Sequence, residues 1–88
     1  MKPGRVPCCV PFCGRTFADD GSYEVMCGKH WRLADPALRH RRAMTVRFYR
    51  AAERRGDEAE ARRQAWLAHA LWLAIKKEAI EIAAGIAG

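Results

Sequence analysis

The chain has 88 residues, a formal charge of +6 from 16 Lys and Arg against 10 Asp and Glu, and 50% hydrophobic residues. That length fits one domain, near the size at which a single apolar core has trouble outweighing chain entropy, so a metal, disulfides or self-association is expected to reinforce it. The longest apolar run, residues 65–75, contains His69 and is about half of what a membrane-spanning helix needs, which excludes a bilayer span on hydropathy.

The basic excess is confined to one half. Residues 1–55 carry 12 basic and 5 acidic side chains, and residues 56–88 carry 4 and 5. Such asymmetry points to two surfaces with different partners, one suited to a polyanion and one to another protein face.

In chain order, Met1 to Pro7 is short, polar and broken by prolines, without the apolar stretch of a secretory signal. A reducing, cytoplasmic setting is therefore expected, where cysteines cluster for metal or redox chemistry more often than for disulfides. All four cysteines lie in the first third, as Cys8, Cys9, Cys13 and Cys27, and His30 follows the last by three residues. From Gly14 to Met26, β-prone residues (Arg15-Thr16-Phe17 and Tyr23-Glu24-Val25) flank Asp19-Asp20-Gly21-Ser22, a hairpin signal. Strands this short need a clamp.

Gly28 to Ala34 is expected to form about two helical turns, ending near Asp35 because a residue before proline is disfavoured in the helical region. Asp35 suits an N-cap and Pro36 the first position of a second helix, which Gly56 should stop at Arg55. Asp57 and Glu60 resemble a capping box, and from Glu58 to about Ala84 the chain is free of Pro and Gly and rich in helix formers. The tail 83–88 is expected to fray. The expected class is mainly α: a small zinc-bound β-hairpin module over 5–34, ending in a short helix, then an Arg-rich helix over 35–55 and a long apolar C-terminal helix over 57–85, all in the single domain 1–88.

Structural zinc takes four ligands in a tetrahedron, usually as two close pairs from two backbone turns. Cys27-x2-His30 supplies one pair, since residues three apart on a first helical turn share a face. The other is Cys8-x4-Cys13 or Cys9-x3-Cys13, with Pro11 stiffening the turn. With four protein ligands the coordination sphere is closed, so the ion is expected to be structural and not catalytic.

Residues 8–31, reading CCVPFC, a short polar insert and MCGKHW, resemble compact Cys-x4-Cys…Cys-x2-His zinc modules of treble-clef or zinc-knuckle type found in phage and bacterial proteins. The stretch from MCGKHWRLADPALRHR onward is similar to small zinc-finger proteins encoded in prophages, on Pro36, Leu38, Arg39, Tyr49 and Arg50. The resemblance covers roughly residues 5–50. It favours Cys8 over Cys9, giving Cys8, Cys13, Cys27 and His30 as the ligand set, and it implies zinc, a phage-related origin and a bacterial host cytoplasm. A knuckle of this kind also precedes some HNH nuclease domains, but after His30 the chain supplies only His40 and His69 and has no Asn, and Ser22 is its only serine. An enzyme is not expected.

Arg39, Arg41, Arg42, Arg47, Arg50, Arg54 and Arg55 stand between Pro36 and Arg55 against one acidic residue, Glu53. The exclusive use of Arg suits bidentate contacts to phosphate. The expected nucleic-acid surface is Arg15, Lys29, Arg32, Arg39, Arg41, Arg42, Arg47 and Arg50, contacting DNA or RNA. In the last helix Trp66, Ala70, Leu73 and Ile80 fall on one stripe, and Leu67, Leu71, Ala74, Ile75 and Ile82 on its neighbour. So broad an apolar surface predicts a homodimer through Trp66, Leu67, Ala70, Leu71, Leu73 and Ile75. The leading function is a non-enzymatic zinc-binding regulator that contacts nucleic acid; the alternative is an adaptor or inhibitor of a host protein.

Overall fold

The structure, a computed structural model, describes residues 4–19, 21 and 24–85. It is mainly helical, with two short strands in an N-terminal cysteine-rich module followed by three helices: β1 (Arg5–Pro7), β2 (Thr16–Ala18), α1 (Gly28–Trp31), α2 (Pro36–Arg55) and α3 (Glu58–Ala83). Among the described residues no helix is long and apolar enough to cross a membrane.

The small sheet is present, but its pairing corrects the expected one. Thr16–Ala18 pairs antiparallel with Arg5–Pro7, in the register Val6 opposite Phe17, and, among the described residues, not with Glu24 or Val25. Arg5 closes this pairing by donating to the Thr16 hydroxyl (3.1 Å) and carbonyl (2.8 Å). Val25 instead forms an isolated parallel bridge with Cys8, and the Cys9 N–H donates to the Val25 carbonyl at 2.8 Å. Of the expected turn, Asp20, Ser22 and the adjoining Tyr23 lie outside the described residues, as do residues 86–88 of the expected frayed tail. Gly21, at φ 89°, donates its N–H to the Asp19 carboxylate at 3.0 Å.

α1 is one turn, shorter than expected. After Trp31 the Leu33 and Ala34 N–H groups reach back only three residues, to the His30 and Trp31 carbonyls, because the chain must become extended at Asp35 ahead of Pro36. The Asp35 carboxylate then caps α2 by accepting from the Ala37 N–H at 2.8 Å. At the other end Gly56 takes the left-handed conformation (φ 74°), and the bonds Gly56 N–H to Glu53 and Asp57 N–H to Ala52 form a Schellman stop. One residue later the Asp57 side chain accepts the Glu60 N–H at 3.1 Å and starts α3.

This two-residue connection folds α3 back antiparallel on α2. The buried seam uses small side chains, Ala52 from α2 and Ala61, Ala68 and Ala79 from α3, around the fully buried Ile75. Small residues let the helix axes approach but bury little side-chain surface. The apolar centre of the metal module is separate: Cys8, Val10 and Cys27, with Phe17, Met26 and Ile80 packed against it. Ile80 is the point where α3 joins that cluster.

Candidate metal centre

Three elements deliver the four ligands. Cys8 directly follows β1; Cys13 ends the turn Val10-Pro11-Phe12-Cys13, closed by a Cys13 N–H to Val10 carbonyl bond of 3.2 Å; Cys27 is the N-cap residue of α1, and His30 lies one turn on. Their ligand atoms all lie within 4.8 Å of one another. Individual separations are 3.9 Å for Cys13 Sγ to Cys27 Sγ, 3.9 Å for Cys8 Sγ to His30 Nδ1 and 3.0 Å for Cys27 Sγ to His30 Nδ1. A tetrahedron with metal–sulfur bonds of about 2.3 Å has sulfur–sulfur edges of about 3.8 Å, so the Cys13–Cys27 edge matches a metal cage and far exceeds the ~2.05 Å of a disulfide. The expected quartet is therefore brought together and can hold a metal ion.

Cys9 stands apart from it. Its backbone bonds to Val25 and its half-buried side chain packs against the module's apolar cluster. Burial, helped by the neighbouring Cys8 and Glu24, pushes its thiol pKa up, which disfavours the thiolate that a metal requires. Cys27 is the reverse case. Burial alone would raise it, but hydrogen bonds from the His30 backbone and ring and from Cys13 and Cys8 outweigh that and hold it at about 6. At Cys13 the Arg15 backbone hydrogen bond lowers the pKa, but burial and the adjacent Cys8 and Cys27 thiols leave it raised. The Cys27 N–H also donates to Cys8 Sγ at 3.4 Å, an N–H···S bond that disperses thiolate charge.

Phe12 is the anomaly of this loop. It is the one non-glycine residue among those described with positive φ (66°), and its side chain is fully exposed. A Cβ in that region costs roughly 1–2 kcal/mol. Cys13 must turn back to the cage immediately after Pro11, and the left-handed residue makes that reversal.

The module is fastened to α3 by contacts that sequence reasoning missed. Trp31 stacks on Trp72 with centroids 6.0 Å apart and planes at 24°. Glu24 accepts from Trp72 Nε1 at 3.3 Å and pairs with Lys76. The Lys76 ammonium, followed by the Trp72 N–H, holds the Glu24 carboxyl below its ordinary pKa against the opposing effect of burial. Asp35, at the start of α2, donates its N–H to Glu78 Oε1 at 2.6 Å. No periodicity or motif signals a single Glu reaching across 48 residues.

The expected nucleic-acid residues do not form one patch. At 100° per residue, Arg39, Arg47, Arg50 and Arg54 fall within about 80° of arc on the edge of α2 that faces away from α3, over about 22 Å. Among these, Arg54 was outside the expected set. Arg39 is half-buried, donating from Nε to the Ala34 carbonyl at 3.2 Å, whereas Arg47, Arg50 and Arg54 are exposed. Arg42 lies elsewhere, with its guanidinium 5.5 Å from the Trp72 ring centroid and its Nε buried. Burial lowers its pKa. Arg41 is exposed on the opposite flank of α2, and Arg15, Lys29 and Arg32 are exposed on the metal module.

The expected oligomer face also divides. Ile75 is fully buried within the chain, because it sits at the seam with Ala68 and Ala79, and it is corrected from interface to core. Trp66 and Leu73 are exposed along the outer edge of α3, with exposed Ala70 beside them. Leu67, also exposed, and the half-buried Leu71 belong to a different flank.

No protein-family model, no curated protein and no solved structure matches this chain. The reading of function therefore stands on the geometry alone.

Proposed function

We propose that the protein is a non-enzymatic nucleic-acid-binding protein in which zinc is a structural ion. The observation that carries the binding part is the row Arg39, Arg47, Arg50 and Arg54 on the outer edge of α2. None of the four has an ion-pair partner among the described residues, where the recorded salt bridges involve Arg55, Arg63 and Lys76. A row of guanidinium groups without acidic partners, three of them exposed, suits a phosphate backbone, where positive charge is rewarded through counterion release.

Three thiols and one imidazole form a borderline-soft donor set that favours zinc over magnesium or calcium. A closed four-ligand sphere leaves no position for a reactive water, which supports a structural role. The metal then does two things for binding. It closes the N-terminal loops into a module, and through His30 and Trp31 it braces that module on α3, whose packing fixes α2.

Fluorescence anisotropy with labelled single- and double-stranded oligonucleotides across a salt series tests the proposal. Binding should weaken as salt rises, with a slope set by the phosphates neutralised, and Arg47→Ala together with Arg50→Ala should reduce that slope by about two ions. An absence of binding to either nucleic acid at low salt rejects it, and a protein ligand for the same Arg row becomes the better reading. Metal analysis of the purified chain should return one zinc per molecule.

A further inference from the structure

A cleft of about 470 Å³ opens between α2, α3 and the N-terminal module, a size within the range of roughly 300–1,000 Å³ typical of small-molecule sites. Three groups that can hold an anion line it: Arg42 and Arg50 from α2 and His69 from α3. Val46, Ala65, Ala68 and the Trp72 ring give it an apolar wall. The Tyr49 ring lines it too, but its hydroxyl is engaged by Glu53.

The positive charge at this cleft is not answered within the chain. Among the described residues neither Arg42 nor Arg50 has an ion-pair partner, and the buried Arg42 Nε has no hydrogen-bond acceptor. The Arg42 guanidinium lies 5.5 Å from the Trp72 ring centroid, and the partial burial that lowers its pKa also strengthens its attraction for an incoming anion. Glu24 is the one acidic side chain among the described lining residues, and Lys76 and the Trp72 N–H answer its charge. It sits at the Nε1 edge of Trp72 while Arg42 lies over the ring, so acid and guanidinium occupy different places around one indole.

We propose that this cleft binds a nucleotide, with the phosphate monoester on Arg42, Arg50 and His69 and the base against the apolar wall. Two guanidinium groups match the nearly double negative charge of a monoester at neutral pH, whereas an internal phosphodiester carries a single charge. Arginine presents paired N–H donors in the geometry that phosphate oxygens accept. The small side chains of Ala65 and Ala68 leave room for a flat ring. Glu24 keeps acceptor positions for an amino group on the base, since a carboxylate offers about four and only two are used. A free nucleotide and the phosphorylated end of a strand present this same chemistry. Arg50 belongs both to the cleft and to the outer row of α2, which places the cleft beside the proposed nucleic-acid surface. Only the strand-end source rests on that reading of the row; the site itself does not.

Titration of the full chain, followed by the NMR resonance of the Trp72 indole N–H, tests this. The probes are adenosine 5′-monophosphate, adenosine, and one oligonucleotide with either a 5′-phosphate or a 5′-hydroxyl. The monophosphate should shift the resonance saturably and adenosine should not. Arg42→Met keeps an apolar stem on Trp72 and removes the charge, and should weaken binding about tenfold, with circular dichroism checking its fold. His69→Gln, at an exposed position, should weaken it several-fold without touching the core. Lys77→Gln removes an exposed charge outside the cleft and should leave binding unchanged. A strand preferred for its 5′-phosphate, in the wild type but not in Arg42→Met, assigns the strand end as a source of the ligand; saturable binding of the monophosphate alone assigns the free nucleotide. No saturable shift with either phosphorylated probe at millimolar concentration overturns the proposal, even where salt-sensitive oligonucleotide binding persists and keeps the outer row as the nucleic-acid surface. Undiminished binding in a folded Arg42→Met chain overturns it as well.

Discussion

Trp31 and Trp72 stack at 6.0 Å across the boundary between the N-terminal module and the long helix, one residue after His30 of the candidate metal quartet. Whatever holds His30 in place therefore also holds an indole against the middle of α3. Replacing Trp72 with Ala removes the stack, the hydrogen bond to Glu24 and the surface under Arg42, and should cost on the order of 2 kcal/mol. Thermal melts of the zinc-loaded protein check this. The sharper readout is coupling: in the wild type, chelator should lower the melting temperature of the helical signal, and in Trp72→Ala that effect should shrink.

Cys27→Ser should abolish tight metal binding and unfold the N-terminal third while α2 and α3 keep much of their helicity. The reason is that Cys27 belongs to the quartet that can hold a metal, is the N-cap residue of α1 and donates its N–H to Cys8 at once, and a metal site of this kind forms together with its fold. Zinc stoichiometry and far-UV circular dichroism report the two halves separately. Cys9→Ser, by contrast, should retain full stoichiometry.

Phe12→Gly should stabilise the module by about 1 kcal/mol, since glycine relieves the left-handed backbone and the lost side chain touches solvent only. Competition with a chromophoric chelator measures it as tighter metal retention. An unchanged or weaker retention would mean that the Phe12 side chain is engaged in a contact of its own.

Acid should loosen the module from α3 through Glu24. Its folded pKa is depressed by Lys76 and Trp72, so its stabilising contribution is fully present above the ordinary glutamate value of about 4.3. That contribution is lost as pH falls through the lower folded value. Glu24→Gln should flatten this part of the acid unfolding curve relative to the wild type, where protonation of the cysteines and His30 acts equally on both chains.

Much of this was legible in the sequence where the cause is local. Asp35-Pro36 and Gly56-Asp57 set the ends of α2 and the start of α3 by capping and φ preference alone, and the spacing of Cys13, Cys27 and His30 announces a cage. The spacing alone left Cys8 and Cys9 open and only the family resemblance favoured Cys8; the physical reason lies in the fold, because their register is fixed by the β1–β2 pairing and the bridge to Val25. The same pairing was illegible: Tyr23-Glu24-Val25 offered a nearer partner for Thr16–Ala18, and the real one contains Pro7, a poor strand residue. The apolar stripes of α3 were visible, but which one faces α2 depends on the alanines that let the helices close. Ile75 therefore went to the core while Leu67 remained outside.

The four-point cage changes what stability means for this chain. The α2–α3 seam is held by burial and has a free energy fixed by sequence. With a metal ion in the proposed cage the N-terminal third would be held by chelation, and its free energy would follow the concentration of free metal, gaining about 1.4 kcal/mol for each tenfold rise above the dissociation constant. One end of the molecule is thus a constant and the other a variable that the surroundings set, with the Trp31–Trp72 stack as the joint between them.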